Sequence, residues 1–312
     1  MQYLPEGSRL HTPENQAALR SVASMERAMH AGTILEARAV LCDSGHNLTV
    51  QLPCMRGWIP RGEGAMGITD GTTKDIALIA RAGKPVCFRI LRISQDETGA
   101  PVAILSRRAV QEECWEQYLS RRVGDILPAT VTHLEKFGAF VDIGCGIPSL
   151  LPIDTISVSR ISHPRDRFVI GQKIRAVVRQ TEPHRIHLTH RELLGTWEEN
   201  AAAFSAGQTV AGIIRSVESY GVFVELTPNL AGLAEPCEDA VAGQCASVYI
   251  KAILPEKMKV KLILIDTFAQ TDPPQPPRYF VPESQTHLDY WRYTPESSPR
   301  IIETDFRFPN SI

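Results

Sequence analysis

The sequence predicts a mainly β protein in which three small closed barrels follow one another along the chain. Three observations lead to this prediction: a long motif that recurs, short apolar strands with glycines at the bends, and helix-like connectors between the recurrences. The chain has 312 residues, enough for two or three domains. Its 43% hydrophobic and 22% charged residues are typical of a folded protein and exclude a disordered chain.

The motif recurs in residues 124–143 and 207–226, which align without a gap at a shift of 83 positions. Both copies begin with a glycine and an apolar strand. Both continue with Glu, any residue, an aromatic residue, Gly, any residue, Phe, Val, an acidic residue and an apolar residue. Each then resumes at a Gly-Gln pair, at 171–172 and at 243–244, where the shift is 72. Such self-similarity indicates a tandem array of one structural unit.

A weaker copy precedes these two. At a shift of 92, residues 32–35 align with 124–127 and residues 57–60 align with 149–152. Residues 102–106 supply a later apolar strand of this copy. The array therefore has three units.

Within a unit, apolar residues alternate or form short runs, as in residues 174–179 and 185–189, which is typical of β-strands. Five short strands with a long, variable connection after the third describe a small closed barrel of the OB type.

Helix signals lie around the units. Thr12 and Pro13 are an N-cap and a first helical residue, and an apolar stripe continues to Met29. Residues 73–82, closed by Gly83, predict a further short helix. We therefore expect an N-terminal helical segment (1–30), a first, degenerate barrel (31–110), a second barrel (122–192), a third barrel (205–267) and a Pro-rich, aromatic tail (268–312), with connecting helices near 110–119 and 192–204.

Several classes of protein are not expected. No apolar run reaches the ~18 residues of a membrane helix, and the first residues lack the basic and apolar regions of a signal peptide. Seven scattered cysteines without a CxxC pair argue against disulfides and zinc, so we expect a cytoplasmic chain with reduced thiols. His184, His187 and His190 do not have the spacing of metal ligands. No catalytic motif is present, so we expect no enzyme activity, cofactor or small-molecule substrate.

Charge is distributed unevenly although the whole chain carries only −2. Residues 31–110 and 122–192 each carry ten basic and seven acidic side chains, a net +3. Residues 205–267 carry five and seven, and residues 268–312 four and six, so each is −2. A polyanionic partner should therefore favour the first two thirds of the chain.

An aromatic pair recurs with the motif. Phe137 and Phe140 in the second unit correspond to Tyr220 and Phe223 in the third. Strict strand alternation would send the two rings of a pair to opposite faces, but the intervening glycine permits a bulge that brings both to one face. Two coplanar rings there would form a stacking platform for nucleobases. The alternative is that one or both rings belong to the core.

With its Glu-x-aromatic-Gly-x-Phe-Val frame, the Gly-Gln pair and the strand at 185–189, the second unit resembles the S1-type RNA-binding domain. That family is named after the large mRNA-binding protein of the bacterial small ribosomal subunit. The resemblance covers roughly residues 31–267 and is strongest in the second unit. It implies single-stranded RNA as the ligand, mRNA binding in translation as the role, and the small ribosomal subunit as a partner.

The resemblance also implies site residues. The ring positions would stack on bases, and a basic residue that opens the last strand, here Arg185 or Lys259, would contact phosphate. Where the family usually has a histidine, this chain has Pro152 and Glu235, and Thr181 stands where an acidic residue is usual. The predicted RNA-binding side chains are Lys136, Phe137, Phe140, Arg179, Arg185, His187, Arg191, Tyr220, Phe223 and Lys259.

The first unit and the tail leave alternatives open. Gly45 and Leu48 fall where the rings should be, so the first unit has no platform, and Trp58 either packs locally or anchors a partner. The tail contains the extended, Pro-rich residues 272–278 and then aromatic segments; it either packs back on the third barrel or binds a partner. Alternative functions are a protein-interaction scaffold, or an RNA-binding accessory subunit of transcription or RNA-decay machinery.

Overall fold

The computed structural model describes residues 3–96, 98–119, 123–182, 185–269 and 273–307. The chain divides into two units. The first comprises residues 1–121 together with 142–148, and the second comprises residues 122–141 and 149–312. The predicted three five-stranded barrels are confirmed, and all three close with the same strand order.

In the first barrel the third strand pairs in parallel with the fifth, which closes the sheet. Its interior is apolar, with Leu35, Leu48 and Phe88 among the fully buried side chains. The strands are β1 (Leu35–Cys42), β2 (Leu48–Gln51), β3 (Arg56–Ile59), β4 (Pro85–Gln95) and β5 (Pro101–Ser106), in the order β1-β2-β3-β5-β4.

The N-terminal helical segment is two helices, α1 (Pro13–Leu19) and α2 (Val22–His30), where the apolar stripe predicted one. Thr12 caps α1 as predicted. The break follows from Ser21, whose side chain accepts a hydrogen bond from the Ser24 amide in a capping box and so starts a new helix. Two further helices of this unit are α3 (Ile76–Ile79) and α4 (Arg108–Cys114).

The second and third barrels repeat the first. In both, the fifth strand pairs in parallel with the third and antiparallel with the fourth. The second barrel consists of β6 (Ile126–Glu135), β7 (Gly138–Asp142), β8 (Pro148–Pro152), β9 (Lys173–Glu182) and β10 (Arg185–Thr189). The third consists of β11 (Thr209–Glu218), β12 (Gly221–Thr227), β13 (Leu230–Ala234), β14 (Cys245–Leu254) and β15 (Lys259–Phe268).

A short connector joins these two barrels. It contains α6 (Trp197–Ala201), and a further helix, α5 (Ile153–Ile156), follows β8. The predicted continuous helix over 192–204 is interrupted at Gly195, whose φ of +82° is left-handed. A β-carbon at Gly195 would also lie 2.7 Å from the Phe280 ring of the tail, so only glycine fits.

The tail packs against the third barrel, which is one of the two outcomes expected from the sequence. It also contacts the second barrel. It forms a two-stranded sheet of β16 (Tyr290–Arg292) and β17 (Glu303–Asp305). Trp291 and Tyr293 join the core of the third barrel, whereas Leu288 and Phe306 cover an outer apolar patch of the second. Residues 270–272 of the tail lie outside the described residues.

One arginine of the second barrel fastens the tail. The Arg175 guanidinium donates hydrogen bonds to the carbonyl oxygens of Val281, Pro282 and Gln285 and lies over the Tyr279 ring. All seven cysteines are free thiols. Within the described residues, no helix is long and apolar enough to cross a membrane.

A buried histidine makes the second unit sensitive to acid. His190 packs against Phe168 and Tyr279, and its Nδ1 atom lies 2.9 Å from the Ile156 carbonyl oxygen. Burial, with the nearby Arg167 charge, lowers the pKa of His190 from 6.5 to about 4. Below pH 6.5 His190 is therefore protonated in the unfolded chain but stays neutral in the folded unit. The free energy of unfolding consequently decreases as the pH falls towards 4.

We expect acidification from pH 7 to about 4 to cost the second unit about 3 kcal/mol through this group alone, at 1.36 kcal/mol per pKa unit. A His190→Gln variant should lack that part of the pH dependence. Urea unfolding followed by tryptophan fluorescence measures it in variants with Trp58 and Trp115 replaced by Phe, so that Trp197 and Trp291 report on the second unit. The exposed His133→Gln serves as control. An unchanged pH dependence in His190→Gln would contradict the assignment.

Candidate nucleic-acid interface

The ring pair of the second barrel lies on a tight hairpin. Residues 136–137 are the two-residue turn between β6 and β7, so Phe137 projects from the turn and is 56% exposed. Phe140 follows on β7, between Ala139 and Val141, which are fully buried in the barrel. Because side chains alternate along a strand, Phe140 faces outward, and its ring centroid lies 6.0 Å from that of Phe137.

The third barrel repeats this arrangement. Tyr220 stands in the turn between β11 and β12 and is 63% exposed, and Phe223 faces outward between two buried valines. The ring centroids of Tyr220 and Phe223 are 6.1 Å apart. Both pairs therefore lie on the outer surface, and neither is part of a barrel core.

The rings are not coplanar, and that expectation was wrong. The planes meet at 89° in the second barrel and at 88° in the third. An edge-to-face contact places the positive edge of one ring on the negative face of the other, which aromatic pairs favour over a parallel sandwich. Each site therefore presents two perpendicular walls, against which a base can stack on one ring while its edge meets the other.

The glycine after the first ring has a different role from the expected bulge. A β-carbon at Gly138 would lie 2.5 Å from the Leu151 carbonyl oxygen, and one at Gly221 would lie 2.4 Å from the Ala234 carbonyl oxygen. The glycine permits a close approach of the ring hairpin to the next strand, and the turn itself brings the two rings to one side.

A third ring joins the pair of the second barrel and was missed from the sequence. The His133 ring lies 6.3 Å from Phe140, tilted by 33°. Its Nε2 atom is 2.7 Å from a Glu135 carboxylate oxygen, which orients the imidazole. The third barrel has Ser216 at the corresponding position. Because no ring recurs there, comparing the two copies does not single out His133.

Strand pairing places the predicted His187 and Arg185 on β10, two strands from the ring-bearing β7. His187 pairs with Leu150 on β8, the strand next to β7. Arg185 lies two residues before His187, which puts both on the outer face. Arg185 is exposed, and neither it nor the half-buried Arg179 has an ion-pair partner within the described residues. His187 lies 3.3 Å from a Glu182 carboxylate oxygen.

The third barrel carries lysines at the same positions. Leu233 pairs with Phe223 on one side and with Lys261 on the other, so Lys261 matches His187. The predicted Lys259 matches Arg185. The shift of 72 that aligns the Gly-Gln pairs also aligns Arg179 with Lys251. Lys251 could therefore have been predicted from the repeat.

Two other predicted residues differ in their surroundings. Lys136 is exposed in the ring hairpin itself, next to Phe137. Arg191 lies beyond the end of β10, where its guanidinium is 3.4 Å from a Glu192 carboxylate oxygen and lies over the Trp291 ring of the tail. Its charge is thus used within the chain, and Arg191 is not brought to the ring pair. His184 lies outside the described residues.

The first barrel has no ring pair. Leu48 belongs to its core, and Gly45 lies in the loop between β1 and β2. The structural counterpart of Phe140 is Thr49, because Thr49 pairs with Trp58 as Phe223 pairs with Leu233. The expected match with Leu48 is one residue off, because five residues separate the paired Cys42 and Leu48, whereas four separate the corresponding pair Val217 and Val222. Trp58 is half-buried.

Comparison with known protein families identifies the domain type of the second barrel. A model of the S1 RNA binding domain family matches residues 120–191. The second barrel is an S1 RNA-binding domain. The family match is confined to the second barrel, and the barrels on either side share its five-stranded fold.

Longer stretches resemble ribosomal proteins. The chain is 32% identical over 178 residues to the small ribosomal subunit protein bS1 of Leuconostoc lactis, covering 51% of this chain and 41% of the relative. It is 26% identical over 270 residues to the Rhizobium meliloti bS1, covering 84% of this chain and 44% of that relative. It is 28% identical over 236 residues to the Bacillus subtilis bS1 homolog, covering 72% of this chain and 56% of that relative. The chain thus spans about half the length of the curated relatives it matches.

The close approach of each ring hairpin yields a prediction. Gly138→Ala and Gly221→Ala should each lower the stability of the second unit by roughly 1–3 kcal/mol, because the added methyl group forces β7 or β12 away from its neighbour. Urea unfolding measures the loss. Gly62→Ala is the control, since its β-carbon would meet nothing closer than 3.6 Å. Wild-type stability in both variants would contradict the packing argument.

Proposed function

We propose that the chain binds single-stranded RNA through its second and third barrels and handles mRNA in translation on the small ribosomal subunit. One observation carries the proposal: two barrels repeat an exposed ring pair beside unpaired basic side chains at matching positions. Stacking contributes ~1–3 kcal/mol per base, and the perpendicular rings offer such a surface twice.

The basic side chains supply the phosphate contacts. We assign this role to Lys136, Arg179 and Arg185 in the second barrel and to Lys251, Lys259 and Lys261 in the third. Phosphate neutralisation releases counterions from RNA, so the affinity should fall steeply with salt. His133 and His187 add imidazoles to the second site that the third site lacks.

The net charge of the third barrel does not oppose this role. Its one arginine, Arg215, is held by the buried Glu225 carboxylate, with a 2.8 Å contact, and makes no contribution to the surface. The four lysines all lie on β14, β15 or the turn between them, whereas Glu235, Glu238 and Asp239 cluster after β13. Glu218, Glu256 and Asp266 lie elsewhere on β11, in the β14–β15 turn and near the end of β15, so the lysines of β14 and the start of β15 form a locally basic face.

The second and third barrels are held together, which favours joint binding. The Arg167 guanidinium is 2.5 Å from a Glu225 carboxylate oxygen across their junction, and both groups are buried. Asn229 accepts a hydrogen bond from the Val158 amide and donates to the Gly195 carbonyl. When one barrel holds an RNA, the other meets it at a raised effective concentration, so two weak sites give useful affinity.

The ribosomal role rests on the relatives. Those that cover most of this chain are named as small ribosomal subunit proteins, and binding to that subunit would place the chain in the cytoplasm. The alternative of an interaction scaffold draws on the ring-free first barrel, whose Trp58 is only half-buried.

We expect Phe140→Ala to weaken binding of labelled single-stranded RNA about 10-fold, as the loss of one stacked base predicts. Phe137→Ala should behave alike, and the wild-type affinity should fall with added salt. Fluorescence anisotropy at two salt concentrations measures both effects. Tyr290→Ala removes an exposed ring of the tail and serves as control. Equal affinity of the wild type and both phenylalanine variants would favour the scaffold.

Association with ribosomes is a separate expectation. The chain should co-sediment with isolated small subunits and not with large ones. Sedimentation on sucrose gradients tests this, with the Phe140→Ala variant included to separate binding through mRNA from binding through protein. A chain that remains at the top of the gradient with either subunit would remove the ribosomal part of the proposal.

A further inference from the structure

The outer surface of β14 and β15 continues beyond the ring pair of the third barrel. Lys251 and Tyr249 face outward on β14, on either side of the fully buried Ile250. Tyr249 pairs with Ile263 on β15, and Ile263 shares its face with Lys261. These side chains form what we name the β14–β15 face: Tyr249, Lys251, Lys259, Lys261 and Ile263.

This face is continuous with the ring pair. Phe223, Leu233 and Lys261 lie in direct register across three neighbouring strands, and β14 is the fourth. At a strand spacing of about 4.8 Å, the path from Phe223 to β14 is about 15 Å along the surface. That is long enough for several nucleotides, within the site sizes of OB barrels.

The face has the chemistry of a single-stranded nucleic-acid track. None of its three lysines has an ion-pair or hydrogen-bond partner in the described parts of the chain. The turn between the two strands carries both Glu256 and Lys257 and therefore adds no net charge. Tyr249 is 36% exposed and would supply a stacking surface at the far end. Unpaired lysines combined with an exposed ring complement a polyanion that carries bases.

The second barrel cannot offer the same extension. Thr209 pairs with Tyr249 as Ile126 pairs with Val177, so Val177 is the counterpart of Tyr249. Val177 is fully buried, in the patch that Leu288 and Phe306 of the tail cover. The tail thus closes this region on the second barrel, whereas the third barrel leaves it open.

We propose that the third barrel binds a longer stretch of single-stranded RNA than the second, over the β14–β15 face, with Tyr249 as a third stacking ring. This inference rests on the proposed RNA-binding function and adds residues to it. The lysines hold phosphates between Phe223 and Tyr249, and a base at the end of the track stacks on the tyrosine.

The test measures the affinity of the full chain for oligouridylates of about 4, 8 and 16 nucleotides, which span the site sizes of OB barrels. Tyr249→Ala should weaken binding of the longest oligomer about 5- to 10-fold and that of the shortest less than 2-fold. Phe268→Ala removes a ring of similar exposure at the end of β15 and should have no effect. Equal losses in Phe268→Ala would overturn the assignment of the track's end.

A charge variant provides a second arm. Lys251→Gln combined with Lys261→Gln should lower the salt dependence of log affinity by about 1.4, at about 0.7 per phosphate contact. Neutralising the exposed Lys84 and Arg38 of the first barrel in the same way should leave the slope unchanged. A wild-type slope in the β14–β15 variant would overturn the proposal.

The two proposals can fail separately. If the wild type does not bind RNA, the proposed function falls. If the wild type binds and Phe140→Ala weakens it, but Tyr249→Ala and the lysine variant match the wild type, the track and the phosphate contacts of Lys251 and Lys261 are wrong, whereas RNA binding by the second barrel stands. A change of sedimentation coefficient in Tyr249→Ala with unchanged RNA affinity would assign the face to protein contacts and overturn the inference.

Discussion

The candidate site depends on a steric constraint at one backbone position in each of two barrels. Gly138 and Gly221 face the carbonyl oxygen of the next strand at a distance that no β-carbon tolerates. This approach fixes the ring hairpin against the third strand, so the second ring of the pair must face outward when the residues beside it fill the core. The glycine therefore acts through packing, and the same side-chain geometry follows twice.

Electrostatic segregation is the second determinant. Acidic and basic residues nearly balance over the whole chain, yet ion pairs remove particular charges from the surface. Glu225 and Asp166 neutralise Arg167 and Arg215 in the junction between the second and third barrels. Among the basic side chains without an ion pair in the described residues are Arg179 and Arg185 on the second barrel and Lys251, Lys259 and Lys261 on the third. The third barrel thus concentrates lysines on one face although its net charge is −2.

The tail distinguishes two barrels that otherwise share a fold. It places Leu288 and Phe306 over Val177 of the second barrel, and it contributes Trp291 and Tyr293 to the core of the third. Arg175, whose guanidinium binds the tail, lies on β9 of the second barrel, so this barrel loses surface that the third retains. Two repeats of one domain thereby come to differ in the area they can offer to a ligand.

The sequence by itself determined the number of barrels, their strand content, the recurrence of the ring pair and the matching basic positions Arg185 and Lys259, because a repeated motif aligns residues across copies without coordinates. Whether the rings face outward was decided by the tertiary structure. It also predicted the helix start at Thr12 from local capping chemistry. It did not determine the perpendicular ring planes, the engagement of Arg191 by the tail, or the match of Thr49 with Phe140. His133 was not predicted, because the third barrel has no aromatic residue at the matching position. These features depend on contacts between residues far apart in sequence, and only the folded strands and the returning tail bring such residues together.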